Sequence, residues 1–217
     1  MKNTLIITGS YGSGKTECAL ALAMRWAVEA PVTLIDLDFV NPYFRVQDQQ
    51  VELARLGIKL LAPEERVAAI DAPSLPPATR EYLLHPPGRT IVDLGGDPAG
   101  AIVIRQFADE LNAGGGYEMW AVVNGYRPTT SDPPQTAALL REIAVATGLR
   151  LTGLVSNTHL GAQTTVEDIS EGLALARATG ALLAVPVIMI GVPNWLTCPA
   201  LDVPLLPITP QLLRPWD

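Results

Sequence analysis

Cysteine and lysine are scarce in this sequence. The 217 residues include two cysteines, Cys18 and Cys198, and three lysines, and the formal net charge is −7. Two distant cysteines form neither a disulfide framework nor a Cys-x-x-Cys metal clamp. The shortage of positive charge argues against nucleic acid or an anionic membrane as the main partner, because both bind to concentrated basic surfaces.

Long hydrophobic runs are also missing, although apolar residues make up 48% of the chain. No run approaches the roughly 18 residues that are needed to cross a bilayer. The N-terminus enters an apolar strand pattern at once, without the regions that compose a signal peptide. We therefore expect a cytoplasmic protein that has no membrane partner.

Short apolar runs alternate with longer helical patterns, which is typical of a parallel sheet flanked by helices. We predict an α/β fold of three layers, in which a mostly parallel sheet carries helices on both faces. The predicted strands lie near residues 3–8, 32–36, 58–61, 90–94, 118–124, 150–156 and 185–190. The predicted helices lie near residues 15–29, 42–56, 76–84, 98–112, 133–147 and 166–179.

The length of the chain favours one domain over residues 1–217. Its last part, residues 193–217, is rich in proline. Because proline cannot continue a helix, we expect this segment to run extended over the surface. Two interpretations stay open: the segment docks on a second subunit, or it packs on its own domain.

The most specific pattern follows the first apolar strand. It fits G-x-x-x-x-G-K-[ST] and consists of Gly9, Ser10, Tyr11, Gly12, Ser13, Gly14, Lys15 and Thr16. In such a phosphate-binding loop, or P-loop, glycines let backbone N–H groups converge on a phosphate at the start of a helix. Lys15 then reaches the β/γ oxygens, and Thr16 offers its hydroxyl to Mg²⁺. The motif predicts a site for a nucleoside triphosphate and Mg²⁺.

Carboxylates end two further apolar strands. Asp36 and Asp38 end the second predicted strand, and their alternation places them on one side, where they suit Mg²⁺ and an attacking water. Asp93 ends the strand at 90–94 and is the expected indirect partner of Mg²⁺. The sequence Asp93-Leu94-Gly95-Gly96 also matches D-x-x-G, in which the N–H of Gly96 can sense a γ-phosphate.

With these three motifs in this order, the chain resembles the MinD/ParA/CobQ-type nucleotide-binding family, the group that includes nitrogenase iron protein. The resemblance extends from about Thr4 to Pro193. It implies that Lys15 and Asp38 are catalytic, with Asp38 positioning the water that attacks ATP. It also implies that Asp93 lies near Mg²⁺, that Asn157 binds the adenine edge, and that the turn at Pro193 closes the pocket. Asn157 can alternatively be a helix or turn cap.

The P-loop departs from that family at one position. Ser10 stands where many members carry a lysine that crosses a dimer interface, and Tyr11 replaces the usual glycine. A homodimer therefore cannot be inferred from the loop. The missing charge predicts slow turnover or a residue supplied from elsewhere. Arg45 is a candidate substitute, although it can equally be a solvated arginine on a helix face.

Other residue types predict the base and the function less directly. Guanine recognition generally uses N-K-x-D, and residues 157–160 lack its lysine and aspartate, which favours ATP over GTP. His85 and His159 are expected to make surface contacts or hydrogen bonds, and the tryptophans are too scattered to predict a stacking platform. We expect an ATPase that switches or assembles a protein client. The alternatives are a small-molecule kinase or ATP-dependent ligase, with residues 39–45 lining its substrate pocket, and a binding module without turnover.

Overall fold

A parallel sheet organises the part of the chain that the computed structural model describes, residues 2–38, 49–62, 75–96, 98–114 and 116–210. Arg45 and the segment 39–45 lie outside these residues. The sheet has eight strands in the order β3-β2-β4-β1-β5-β6-β7-β8, and every pair is parallel. The strands are β1 Thr4–Thr8, β2 Val32–Leu37, β3 Ile58–Leu61, β4 Arg89–Leu94, β5 Tyr117–Val123, β6 Gly153–Ser156, β7 Val187–Pro193 and β8 Leu205–Ile208.

Helices cover both faces of this sheet, as the sequence predicts. They are α1 Lys15–Ala27, α2 Gln50–Arg55, α3 Thr79–Leu84, α4 Pro98–Arg105, α5 Ala108–Gly114, α6 Pro133–Thr147 and α7 Val166–Leu183. Alternation along β1 shows the layering: Leu5 and Ile7 pack in one core cluster with α1, whereas Ile6 packs in another with α4 and α6. Central strands buried on both faces need nearly continuous apolar runs, which is the pattern in the sequence.

The segment at 98–112, which the sequence predicts as one helix, forms two. α4 ends at Arg105 and α5 begins at Ala108. At the break, the side chain of Gln106 donates a hydrogen bond to the carbonyl of Val103 at 2.8 Å, and Phe107 is buried. A polar side chain thus satisfies a carbonyl that the helix end leaves free, while the turn places an aromatic ring in the core.

The Pro-rich C-terminal segment, as far as residue 210, packs on its own domain. The segment contains β8, the eighth strand of the sheet, which pairs with β7 and was not predicted from the sequence. Leu206 and Ile208 are buried, whereas Pro207 is exposed. Proline is tolerated there because β8 is the outer strand of the described sheet.

Within the described ranges, none of the helices combines the length and the apolar character that a bilayer-spanning helix requires.

We predict that Leu206→Ala lowers the free energy of unfolding by about 2–4 kcal/mol, because it removes a buried side chain that packs near α1. Urea denaturation followed by circular dichroism measures this change. Leu182→Ala is the matched control, since Leu182 is 47% exposed, and its effect should stay within about 0.5 kcal/mol. Equal effects of the two substitutions would contradict the structural role of β8.

Candidate functional site

The carboxyl ends of neighbouring strands meet beside the P-loop. β4 lies between β2 and β1, and its register places Asp93 opposite both Asp36 and Ile7. Parallel strands end at the same edge of a sheet, so residues that are distant in sequence become neighbours there. The carboxylates predicted at strand ends therefore lie beside the start of the P-loop.

The P-loop enters α1 through Gly14, which has a φ of +84°. This left-handed conformation favours glycine. The limited space favours glycine as well, because a Cβ at Gly14 would lie 2.3 Å from Nδ2 of Asn157. The N-cap residue of α1 is this Gly14, so the N-cap position provides no side chain to cap the first turn. Backbone N–H groups at such a helix start attract an anion. The loop thus has the form that phosphate binding requires.

Other side chains of the P-loop differ in exposure. Ser10 and Ser13 are buried, and their hydroxyls have no hydrogen-bond partner among the described residues. Tyr11, by contrast, is 66% exposed. Position 10 of the loop therefore carries a buried, uncharged side chain.

Lys15 and Asp38 form a buried ion pair at the head of the P-loop. Lys15 Nζ lies 2.9 Å from Asp38 Oδ2, and the two side chains are 6% and 7% exposed. The carboxylate of Asp36 accepts a hydrogen bond from the backbone N–H of Asp38 at 3.1 Å, which orders the end of β2. The two residues predicted to be catalytic are thus in direct contact.

Asp93 is a buried carboxyl group next to this pair. Burial raises its pKa to about 7, against the opposing effect of Lys15; Asp36 and Asp38 raise it further, and the Thr16 hydroxyl lowers it. Neither carboxylate oxygen of Asp93 makes a hydrogen bond of ordinary geometry with the described residues. A buried carboxylate that lacks such hydrogen bonds and lies beside a hydroxyl is suited to bind a cation or the water bound to a cation.

Gly96 brings the D-x-x-G segment onto the P-loop. A Cβ at Gly96 would lie 1.8 Å from the backbone oxygen of Gly9. Only glycine permits two backbones to approach so closely. A displacement of the D-x-x-G segment therefore forces the P-loop to move, and the reverse also holds.

Asn157 braces the P-loop from the opposite side. Its Nδ2 donates a hydrogen bond to the backbone oxygen of Ser13 at 2.8 Å. A Cβ at Gly191 would lie 2.3 Å from Oδ1 of Asn157, so the end of β7 closes over this amide. Asn157 thus has a structural contact that the sequence did not predict, and its contact with the adenine edge stays a prediction.

A cavity of about 440 Å³ adjoins the P-loop. Lys15, Thr16, Asn157 and Pro193, all predicted site residues, contribute to its wall. The lining residues that were not predicted from the sequence include Tyr126, Arg127, His159 and Trp195. Each follows the end of β5, β6 or β7 by two to four residues, and that position was the signal that could have identified them.

Among the residues that the structure describes, no group of three or more histidine, cysteine, aspartate or glutamate side chains is arranged to hold a metal ion. Cys18 is fully buried in the core, and burial raises the pKa of its thiol. Mg²⁺ that is bound to phosphates uses only one or two protein carboxylates and keeps several waters, so it does not depend on such a group.

Comparison with known proteins identifies the fold. Neither a family model nor a curated protein matches the chain. Among solved structures, it is similar to chloroplast FtsY from Physcomitrella patens, with 20% identity and a TM-score of 0.59 over 89% of this chain and 59% of that chain. It is also similar to FtsY from Mycoplasma mycoides, with 15% identity and a TM-score of 0.58 over 88% of this chain and 60% of that chain. A third similar structure is the signal recognition particle receptor FtsY from Elizabethkingia anophelis in complex with GDP. Its identity is 18% and its TM-score is 0.55, over 89% of this chain and 58% of that chain.

These similarities show the α/β fold of P-loop NTPases, with an eight-stranded parallel sheet. The fold class expected from the sequence is therefore confirmed. The chain spans about three fifths of the length of the structures that it matches. A relationship to the MinD/ParA/CobQ proteins in particular stays a prediction.

We predict that Gly96→Ala destabilises the protein by about 1–3 kcal/mol, because the new methyl group collides with the backbone of Gly9. Thermal unfolding measures the effect. Gly114→Ala is the control, since a Cβ at Gly114 meets no atom within 4 Å, and its midpoint should match or exceed that of the wild type. A Gly96→Ala protein as stable as wild type would contradict the close approach of the two segments.

Proposed function

We propose that this protein binds Mg-ATP and hydrolyses it, acting as a nucleotide-dependent switch for a protein client. One observation carries the proposal: a buried Lys15–Asp38 pair at 2.9 Å lies beside Asp93 at the head of the P-loop. It lies at the carboxyl edge of the sheet, where α/β folds bind their ligands. A cation, a hydroxyl and carboxylates are the groups that phosphate and Mg²⁺ require.

The proposed Mg²⁺ ligands are Thr16 and, directly or through water, Asp93 and Asp36. The buried Asp93 oxygens without hydrogen-bond partners among the described residues fit this assignment. When bound, Mg²⁺ neutralises charge on the phosphates and polarises the γ-phosphoryl group. Asp38, named with these ligands from the sequence, is held by Lys15 here and suits the attacking water better.

Lys15 and Asp38 exchange partners in the proposed reaction. The triphosphate attracts Lys15 away from Asp38, because it carries more negative charge than one carboxylate. The freed Asp38 carboxylate then takes a proton from a water as the oxygen of that water forms a bond to the γ-phosphorus. The bond from the γ-phosphorus to the bridging oxygen breaks, and ADP and phosphate are the products.

Gly96 supplies the proposed switch. Its backbone contact with Gly9 couples the D-x-x-G segment to the P-loop. A hydrogen bond from the Gly96 N–H to the γ-phosphate would exist before hydrolysis and not after it. The two states would present different surfaces to a client.

ATP is the proposed nucleotide, and GTP is its alternative. Asn157, His159 and Pro193 line the cavity near the P-loop, while residues 157–160 contain no carboxylate to accept the two donors of guanine. The FtsY structure in complex with GDP favours the alternative. Both nucleotides therefore belong in the binding experiment.

The wider setting completes the proposal. We propose that residues 1–217 act as one nucleotide-binding domain in the cytoplasm, with a protein client and without nucleic acid or membrane as partners. The net charge of −7 supports the last point. Homodimerisation stays open, because Ser10 removes the lysine on which a nucleotide-sandwich dimer would depend.

We predict that Lys15→Ala weakens ATP binding by about 100-fold or more, since the loop loses its charge-assisted contact with phosphate. Calorimetric titration with Mg-ATP and Mg-GTP measures both affinities, and wild type should prefer ATP. Lys59→Ala is the control: Lys59 bonds to the Tyr82 hydroxyl at 2.7 Å and lies outside the cavity. Absence of nucleotide binding by the folded wild type would refute the proposed function.

We predict that Asp38→Asn binds ATP at least as tightly as wild type but releases phosphate about 100-fold more slowly or worse. Affinity is retained because Asp38 competes with phosphate for Lys15, and hydrolysis is lost because the amide cannot accept the proton. A phosphate-release assay without any added substrate measures this and also tests the kinase or ligase alternative. Equal turnover by Asp38→Asn and wild type would remove Asp38 from the mechanism.

A further inference from the structure

The turn after β5, residues 124–127, carries an arginine onto the P-loop. Arg127 Nε donates a hydrogen bond to the backbone oxygen of Gly12 at 2.8 Å. The contact is close enough that a Cβ at Gly12 would lie 2.8 Å from the same nitrogen. A cation from a distant part of the chain is thus fixed against the middle of the loop.

Hydrogen bonds hold this turn in place. The side chain of Asn124 accepts from the N–H of Tyr126 at 3.0 Å, and the N–H of Gly125 donates to the Thr158 hydroxyl at 2.9 Å. The Tyr126 hydroxyl donates to the carboxylate of Asp168 at the start of α7. Because both flanks are anchored, Arg127 needs little reorganisation to keep its position.

The guanidinium retains donors for a ligand. Arginine has five N–H donors in a planar fork, and among the described residues only the Nε–H of Arg127 has a partner. Arg127 is exposed and lines the same cavity as Lys15 and Thr16. The Nη groups are therefore accessible to an oxygen of a molecule bound there.

The carboxylates of the site outnumber its lysine, so a second cation there would balance the charge. Lys15 is paired with Asp38, and Asp36 and Asp93 adjoin the pair. Ser10 removes the lysine that related loops place here. Arginine binds phosphate oxygens with a well-matched fork geometry.

We propose that Arg127 is the second cation of the nucleotide site: it holds the P-loop at Gly12 and donates to the phosphate chain of the bound nucleotide. This inference rests on the proposed function. Arg127 acts from within the same chain, so a nucleotide-sandwich dimer is not needed to supply the charge.

Arg127→Gln, Arg127→Lys and Arg141→Gln test the inference. Arg141 is the matched control, because it is an exposed arginine that donates to one backbone carbonyl, that of Leu182, at 2.6 Å and lies outside the cavity. Dissociation constants are measured for Mg-ATP, Mg-ADP and adenosine, and circular dichroism confirms folding. Adenosine, which has no phosphate, separates a phosphate contact from a purely structural role.

Arg127→Gln should weaken binding of ATP and ADP about ten-fold or more and change adenosine binding less than two-fold. Arg127→Lys should recover part of the loss, since it keeps the charge but not the fork. Arg141→Gln should match wild type. The salt dependence of ATP binding should also be smaller in Arg127→Gln than in wild type.

Two results would overturn the inference while leaving the proposed function intact. One is ATP binding by folded Arg127→Gln within two-fold of wild type. The other is an equal loss for ATP and adenosine, which would restrict Arg127 to holding the loop. If wild type and Arg141→Gln bind neither ATP nor ADP, the proposed function fails and this inference fails with it.

Discussion

A buried lysine requires an anion, and the rest of this site is arranged around that requirement. Lys15 and Asp38 are both nearly inaccessible to water and lie 2.9 Å apart. Removing either charge from water is costly, and the attraction between the two offsets the cost only while they remain together. A ligand that displaces Asp38 must therefore bring negative charge of its own. In the proposed function, the pair therefore favours a polyanion whatever its base or sugar.

The scaffold holds the P-loop beside that pair through contacts to the backbone of the loop. Gly96 approaches the backbone of Gly9, and Asn157 donates to the backbone oxygen of Ser13. Each contact comes from the end of a different strand, so the loop is fixed from several sides of the sheet edge. Such preorganisation lowers the entropy lost when a ligand binds. It also means that movement of one strand end reaches the loop directly.

Much of the fold and of the candidate site was predictable from the sequence, because the patterns that indicate them lie within short stretches of the chain. Seven strands and the P-loop follow from apolar runs and a contiguous motif, and the carboxylates end those runs. β8 was missed because a proline inside it, Pro207, argues against a strand unless the strand is known to be at an edge. Arg127 and Trp195 were missed for another reason: their only signal is a position shortly after a strand, which does not say which of the following turns reaches the P-loop. Their place beside the P-loop depends on strand order, which brings β5 and β7 to the same edge.

Strand order also determines which side chains can reach the P-loop from outside it. In a parallel sheet, every strand delivers its following turn to the same edge, so several turns are available to place a cation on the P-loop. Ser10 leaves the loop itself with Lys15 alone, whereas the turn after β5 reaches Gly12 with Arg127. A guanidinium held by the chain's own fold needs no partner subunit and loses little freedom on binding. If Arg127 has the role proposed for it, the supply of this charge does not depend on dimerisation.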